Sequence, residues 1–114
     1  MSDVDDFEGH LQELRRGTVV LASLHLLREP GYGYGLLQQL ADAGFPTDAN
    51  TLYPLLRRLE KQGCLDSEWN TDETRPRKFY RTSASGIRLA EALTREVAAI
   101  AAATSALTEG EHSS

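Results

Sequence analysis

The spacing of apolar residues over the first sixty positions predicts three helices separated by short turns. They are expected over about 11–28, 33–43 and 48–62, because leucines recur in each at intervals of three and four residues. Glu29-Pro30-Gly31 ends the first helix, and Gly44 is placed to end the second. The cleanest pattern belongs to the third helix, at Leu52, Leu55, Leu56 and Leu59.

The beginning of the third helix carries two opposing signals. Asp48 or Asn50 can cap it, because both side chains accept hydrogen bonds from backbone N–H groups. Pro54 has no N–H and is typical of a first turn. We therefore expect the helix to start late or to bend near its beginning, and to stop at Gly63.

After Gly63 the period changes from helical to alternating. Residues 65–70 alternate in polarity as a half-buried strand does, and 77–82 are rich in aromatic and β-forming residues. With the polar loop between them, the two segments predict a hairpin. Trp69 is interpreted as a core or hairpin anchor.

A long helix is expected from about 84 to 108, with apolar residues close to a heptad seam. The seam could pack on its own domain, but so small a domain leaves little surface for it. We favour pairing with a second copy through Leu89, Leu93, Val97, Ile100 and Leu107. The expected organisation is a flexible lead-in (1–9), a winged helix-turn-helix domain (10–83), a dimerisation helix (84–108) and a disordered tail (109–114).

Composition narrows the class of protein. The chain has 114 residues, enough for one domain, with 40% hydrophobic and 25% charged residues. The acidic start lacks the apolar run of a signal peptide, and the longest apolar stretch is about half of a membrane span. A single cysteine cannot form an internal disulfide. These features predict a soluble cytoplasmic protein with no membrane segment.

Candidate metal and catalytic residues are few. His10, His25, His112 and Cys64 lack the spacing of metal ligands, and no nucleophile–base pair or phosphate loop occurs. We interpret His25 as a satisfied core histidine and Cys64 as a small buried residue. The alternative is a metal- or redox-sensing role, since both residue types can bind metal. The sequence therefore predicts no metal site, no cofactor and no enzymatic activity.

The exposed face of the third helix carries the residues that suggest a function. A short turn between helices two and three makes a helix-turn-helix, whose second helix can enter a DNA major groove. Asn can read adenine, Arg can read guanine, and hydroxyl groups can hold phosphates. The residues opposite the leucines are Asn50, Thr51, Tyr53, Arg57, Arg58 and Lys61.

The hairpin adds a basic wing, with Arg75, Arg77 and Lys78 on or beside its loop and Arg81 beyond them. Such a wing suits phosphate contact or insertion into a minor groove. The net charge of −5 speaks against nucleic acid. However, residues 51–81 hold seven basic and five acidic residues (+2), whereas 1–50 and 82–114 carry −5 and −2.

Several stretches, in order and spacing, resemble the PadR family of bacterial transcriptional regulators. They are Tyr32-Gly33-Tyr34, the segment from Leu52 to Gly63, the segment from Arg75 to Tyr80, and Ser83-Ala84-Ser85-Gly86. The resemblance spans about 11–107 and favours the short members with one C-terminal helix. The chain departs from the family at Asn50, where glycine is common, and at Ser83, where threonine is common.

The resemblance implies a homodimeric winged helix-turn-helix repressor that binds double-stranded operator DNA and is released by a small ligand or another signal. It also implies that Tyr34 faces DNA, together with Asn50, Thr51, Tyr53, Arg57 and the 75–78 wing. The fold class expected is mainly α with a small β-hairpin. The alternative is a winged-helix module that binds proteins and does not read DNA, which the overall acidity suits.

Overall fold

The computed structural model describes residues 3–72 and 74–112. Four helices and a small three-stranded antiparallel sheet make up the fold, which confirms the predicted class of a mainly α winged helix-turn-helix. The elements in chain order are α1 (Asp3–Leu26), β1 (Gly31–Tyr32), α2 (Gly33–Ala43), α3 (Ala49–Lys61), β2 (Leu65–Asn70), β3 (Arg77–Thr82) and α4 (Ala84–His112).

The two terminal helices are longer than the sequence pattern predicts. Helix α1 begins at Asp3 and α4 continues to His112, so helix occupies 3–9 and 109–112, where the sequence predicts a flexible lead-in and a disordered tail. Acidic side chains such as Asp6 favour a helix N-terminus, and the alanine-rich part of α4 propagates helix strongly. Residues 1–2 and 113–114 lie outside the described residues.

Helix α3 starts early rather than late. The Asp48 side chain caps it by accepting a hydrogen bond from the Thr51 N–H at 2.8 Å, and the helix runs from Ala49 through Pro54. Burial of the four leucines on one face of α3 outweighs the backbone hydrogen bond that proline cannot make. Gly44 and Gly63 follow the ends of α2 and α3 with φ of 98° and 82°, as expected of helix-terminating glycines.

The sheet contains a short strand that the sequence analysis did not predict. Strand β3 lies between β1 and β2, with Gly31 opposite Tyr80 and Trp69 opposite Lys78. Two residues are too few to show an alternating pattern, so β1 has no sequence signature. This strand attaches the hairpin to the beginning of α2.

The core lies where α1, α2, α3 and the start of α4 meet, and Cys64 is buried there as predicted. The interpretation of His25 as a core histidine is wrong, and so is the core alternative for Trp69, whereas a role of Trp69 as hairpin anchor stays a prediction. His25 is exposed, with Nε2 3.0 Å from Thr94 Oγ1 on α4, because it lies on the side of α1 away from the buried leucines. Trp69 is 63% exposed, because the inward face of β2 extends beyond the core after Ser67.

Candidate nucleic-acid interface

The face of α3 opposite its buried leucines is polar and open to solvent. Five of the six residues predicted there are exposed: Asn50, Thr51, Arg57, Arg58 and Lys61. Their accessibility follows from the leucine spacing, which turns one side of the helix into the core. The first turn of α3 is fixed by the Asp48 cap, so Asn50 and Thr51 project from an ordered helix terminus.

Tyr53 is half-buried because it packs under the beginning of α2. A Cβ atom on Gly33 would lie 2.6 Å from Tyr53 Cε1, so the ring takes this position because Gly33 has no side chain. The neighbouring Tyr34 is 81% exposed. The helix-turn-helix thus presents a packed tyrosine, Tyr53, and a solvent-exposed tyrosine, Tyr34, on the same side of the molecule.

The wing carries three exposed guanidinium groups and one paired ammonium group. Arg75, Arg77 and Arg81 are exposed, whereas Lys78 is half-buried. The Arg77 guanidinium lies over the Tyr32 ring, with Cζ 4.1 Å from the ring centroid. The wing is therefore held against β1 by a cation–π contact.

A carboxylate on α3 pairs with the lysine of the wing. Glu60 accepts hydrogen bonds from the Ser67 hydroxyl on β2 and from Lys78 Nζ, which lies 2.9 Å from Oε1. These hydrogen bonds, from Ser67 first and then Lys78, hold the pKa of Glu60 below its ordinary value. The hydrogen bond to Glu60 raises the pKa of Lys78. The pair is charged at neutral pH and joins α3 to the wing.

A groove of about 470 Å³ runs between the start of α2, α3 and the wing. It brings together five of the predicted residues, Tyr34, Tyr53, Arg75, Arg77 and Lys78. The remaining four, Asn50, Thr51, Arg57 and Arg58, do not line it and lie on the exposed face of α3. Tyr32 and Trp69 also line the groove, although neither was predicted at the site; the Tyr32-Gly33-Tyr34 motif contains the first of them.

The arrangement suits contact with a polyanion that has planar groups. Guanidinium groups form paired hydrogen bonds with phosphates and guanine edges, and aromatic rings pack against sugars or bases. The carboxylates of Asp66 and Glu68 are exposed on β2, so the positive charge is concentrated at the wing loop and on α3.

A second surface is formed by apolar side chains without partners in the described chain. On α4, Val97, Ile100 and Leu107 are exposed, the last by 72%, whereas Leu89 and Leu93 pack against the core. On α1, three further apolar residues are exposed: Phe7, Leu11 and Leu14. The sequence pattern placed Leu11 and Leu14 on the core-facing side of this helix and gave Phe7 no place. The first half of α1 and the second half of α4 extend beyond the domain, so its core cannot cover them.

Within the described ranges, no group of three or more histidine, cysteine, aspartate or glutamate side chains is arranged to hold a metal ion. No helix among the same residues is long and apolar enough to cross a membrane.

Comparison with known proteins identifies relatives. Residues 20–92 match the model of the transcriptional regulator PadR-like family. Transcriptional regulator Rv3488 of Mycobacterium tuberculosis is 36% identical over 77 residues, which cover 67% of this chain and 72% of the relative.

Solved structures show the same fold. A PadR family transcriptional regulator from Eggerthella lenta has 47% sequence identity and a TM-score of 0.87, over 92% of this chain and 94% of the other. A transcriptional regulator from Clostridium thermocellum has 30% identity and a TM-score of 0.71, over 77% and 90%. At 92% coverage, the similarity to the Eggerthella lenta structure includes both the helix-turn-helix and most of the long last helix.

Proposed function

The chain belongs to the PadR-like family of transcriptional regulators, and from this premise we propose that it is a homodimeric repressor that binds a pseudo-palindromic operator in double-stranded DNA. In this proposal α3 reads bases in the major groove, and the wing holds the adjacent backbone or minor groove. The protein acts in the cytoplasm and responds to a small ligand or a stress signal.

The observation that carries the proposal is that α3 and the wing lie side by side, each with exposed arginines. Arg57 and Arg58 are exposed on α3, and Arg75 and Arg77 are exposed on the hairpin that packs beside it. Base edges and phosphates lie next to each other along a DNA groove, so a reading helix beside a cationic loop contacts both. Asn50 and Thr51 at the N-terminal end of α3 are placed for base contacts, as in other helix-turn-helix proteins.

The exposed apolar residues of α1 and α4 support a dimer. Single apolar residues are common on surfaces, but exposed apolar residues that recur along two projecting helices support an interaction site. A second copy of the chain covers these residues by two-fold symmetry, with α4 against its equivalent and α1 beside it. Such a dimer sets its two α3 helices about one DNA turn apart, roughly 34 Å.

For the ligand that would release the DNA, we propose only a chemical class. No tryptophan, tyrosine or phenylalanine follows Tyr80 in the given sequence, so α4 offers none of these rings for stacking a flat aromatic ligand. If a ligand binds at the dimer, aliphatic contacts with α4 hold it.

One observation favours a second function. The net charge of −5 and the carboxylates on β2 suit a winged-helix module that binds a basic protein instead of DNA. Binding to DNA at moderate salt separates the two functions, because a protein-binding module gives no protected DNA region.

DNase I footprinting on the DNA upstream of the protein's own gene tests the proposal. We expect one protected region with two half-sites about 10 base pairs apart, centre to centre. Absence of protection at moderate salt, with a folded dimer confirmed by light scattering, would exclude the repressor. Footprints on unrelated DNA of the same length serve as the control.

A further inference from the structure

Both oxygens of the Glu60 carboxylate face the wing. Oε2 accepts a hydrogen bond from the Ser67 hydroxyl, and Oε1 lies 2.9 Å from Lys78 Nζ. Glu60 lies on α3 beside Tyr53, on the side that meets the hairpin, and about a third of its side chain is exposed. The carboxylate therefore connects the reading helix with both strands of the wing.

Lys78 is held differently from the other cations of the wing. Its side chain is 29% exposed, and its ammonium group lies 5.4 Å from the Tyr80 ring centroid as well as against Glu60. Arg75 and Arg77 lie on either side of Pro76 and are exposed. Lys78 reaches α3, whereas the guanidinium group of neighbouring Arg77 lies over the Tyr32 ring of β1, so the two cations have different partners.

A cation that is already paired contributes little to binding a polyanion. Lys78 would have to leave a charge-assisted hydrogen bond in order to reach a phosphate, and Glu60 would remain near the DNA as an unpaired negative charge. By contrast, the guanidinium groups of Arg75 and Arg77 have no carboxylate partner among the described residues. This difference predicts that the wing binds phosphate through its arginines alone.

We propose that Glu60 is a positioning residue, which holds Lys78 away from the DNA backbone and thereby limits the sequence-independent part of the affinity for DNA. The inference rests on the proposed function. Contacts with phosphates add affinity for every sequence, whereas contacts with base edges add affinity for the operator only. Withdrawing one cation from the backbone therefore lowers the affinity for operator and non-operator DNA by the same factor.

The salt dependence of DNA binding tests this role, since each phosphate contact contributes about 0.9 to the slope of log K against log salt. The proteins compared are the wild type, Glu60→Gln, the charge-conserving double variant Glu60→Gln/Lys78→Gln, and Asp66→Asn. The last removes the same charge from an exposed position on β2 that forms no ion pair in the described chain. Fluorescence anisotropy with operator and random-sequence duplexes gives the slopes.

Glu60→Gln should steepen the slope by about 0.9, which is roughly a threefold larger loss of affinity between about 50 and 200 mM salt. It should also raise the affinity for the operator and random-sequence duplexes by the same factor, so that their ratio stays at the wild-type value. The double variant and Asp66→Asn should keep the wild-type slope. A slope for the double variant that is flatter by about 0.9 would show that Lys78 already contacts phosphate, and an unchanged slope for Glu60→Gln would equally overturn the inference.

A measurement on the wild type keeps the inference testable if Glu60→Gln does not fold. The ammonium signal of Lys78 in ¹⁵N NMR should be the same with and without duplex DNA, whereas a Lys78–phosphate contact would shift it. Loss of DNA binding by every protein, including the wild type, would instead refute the proposed function.

Discussion

The guanidinium carbon of Arg77 lies 4.1 Å from the centroid of the Tyr32 ring. The Tyr32 hydroxyl accepts a hydrogen bond of 2.8 Å from the Asn70 amide, and its ring meets Phe79 edge-on at 5.9 Å. Tyr32 on the short strand β1 therefore contacts both strands of the wing, where β2 enters the loop and where β3 leaves it. The direction of Arg77 depends on Tyr32, a residue that the sequence analysis connected with the family motif but not with the wing.

Replacing Tyr32 should weaken DNA binding without unfolding the protein. Tyr32→Leu removes the ring under Arg77, and a partly exposed cation–π contact is worth about 0.5–1 kcal/mol, so affinity should fall by about two- to fivefold. Tyr32→Phe keeps the ring, loses only the hydrogen bond to Asn70, and should bind more tightly than Tyr32→Leu. Titration of an operator duplex measures this order, and equal affinities for the two variants would refute the role of the ring.

The Glu60–Lys78 pair should stabilise the fold over a defined pH range. The pKa of Glu60 is lowered from 4.5, so its contribution is present above that value and is lost as the pH falls through the lowered pKa. The pKa of Lys78 is raised from 10.5, so its contribution is present below that value and is lost as the pH rises through the raised pKa. Between these limits the pair is charged.

In urea unfolding at pH 7, Glu60→Gln should reduce the free energy of unfolding by no more than about 1 kcal/mol, because the pair is partly exposed and screened. The difference between the wild type and Glu60→Gln should shrink as the pH falls below 4.5. A difference that stays constant to acid pH would show that Glu60 acts through packing instead of charge.

Most of the fold could be predicted from the sequence because its elements have strong local patterns. The structure confirms 33–43 for α2, 65–70 for β2 and 77–82 for β3. The turn glycines and the Asp48 cap also follow from local chemistry. Strand β1 could not be found, because two residues carry no periodicity and are fixed only by pairing with distant β3.

The errors at the site have one physical cause. Periodicity shows which residues share a face, but not whether another element covers that face. Trp69 shares a face with buried Leu65 and is nevertheless exposed, and Leu14 on the apolar face of α1 is 73% exposed. The pairing of Lys78 with Glu60 spans 18 positions and depends on how α3 packs on the hairpin. Tertiary contacts of this kind leave no pattern in the sequence.

A charge among the exposed apolar residues of α4 should separate the dimer. Val97→Asp would place an unpaired carboxylate in the proposed interface, and light scattering should give a mass close to that of the monomer. Val97 is a better choice than Leu93, because Leu93 packs against the core and its replacement also destabilises the domain. The control is Ala102→Asp, which lies on the opposite side of α4 and should remain dimeric. A dimer mass for Val97→Asp would refute this interface.

Two glycines should respond in opposite directions to alanine. A Cβ atom on Gly86 would lie 2.1 Å from the Cys64 carbonyl oxygen, so Gly86→Ala forces α4 away from the turn after α3 and should cost more than about 2 kcal/mol. Gly35 in α2 has open space around its Cα, so Gly35→Ala should stabilise the fold by about 0.5–1 kcal/mol. Thermal unfolding measures both, and a stable Gly86→Ala protein would contradict the close packing.

The most direct test of DNA reading by α3 and the wing is the operator affinity of two arginine variants. Arg57→Ala and Arg77→Ala should each weaken binding to the footprinted duplex by about 1–3 kcal/mol, and Arg57→Ala should relax the preference at one base pair. Arg88→Ala removes the same charge from the start of α4 and should bind like the wild type. Wild-type affinity and specificity for both Arg57→Ala and Arg77→Ala would show that DNA does not contact this surface.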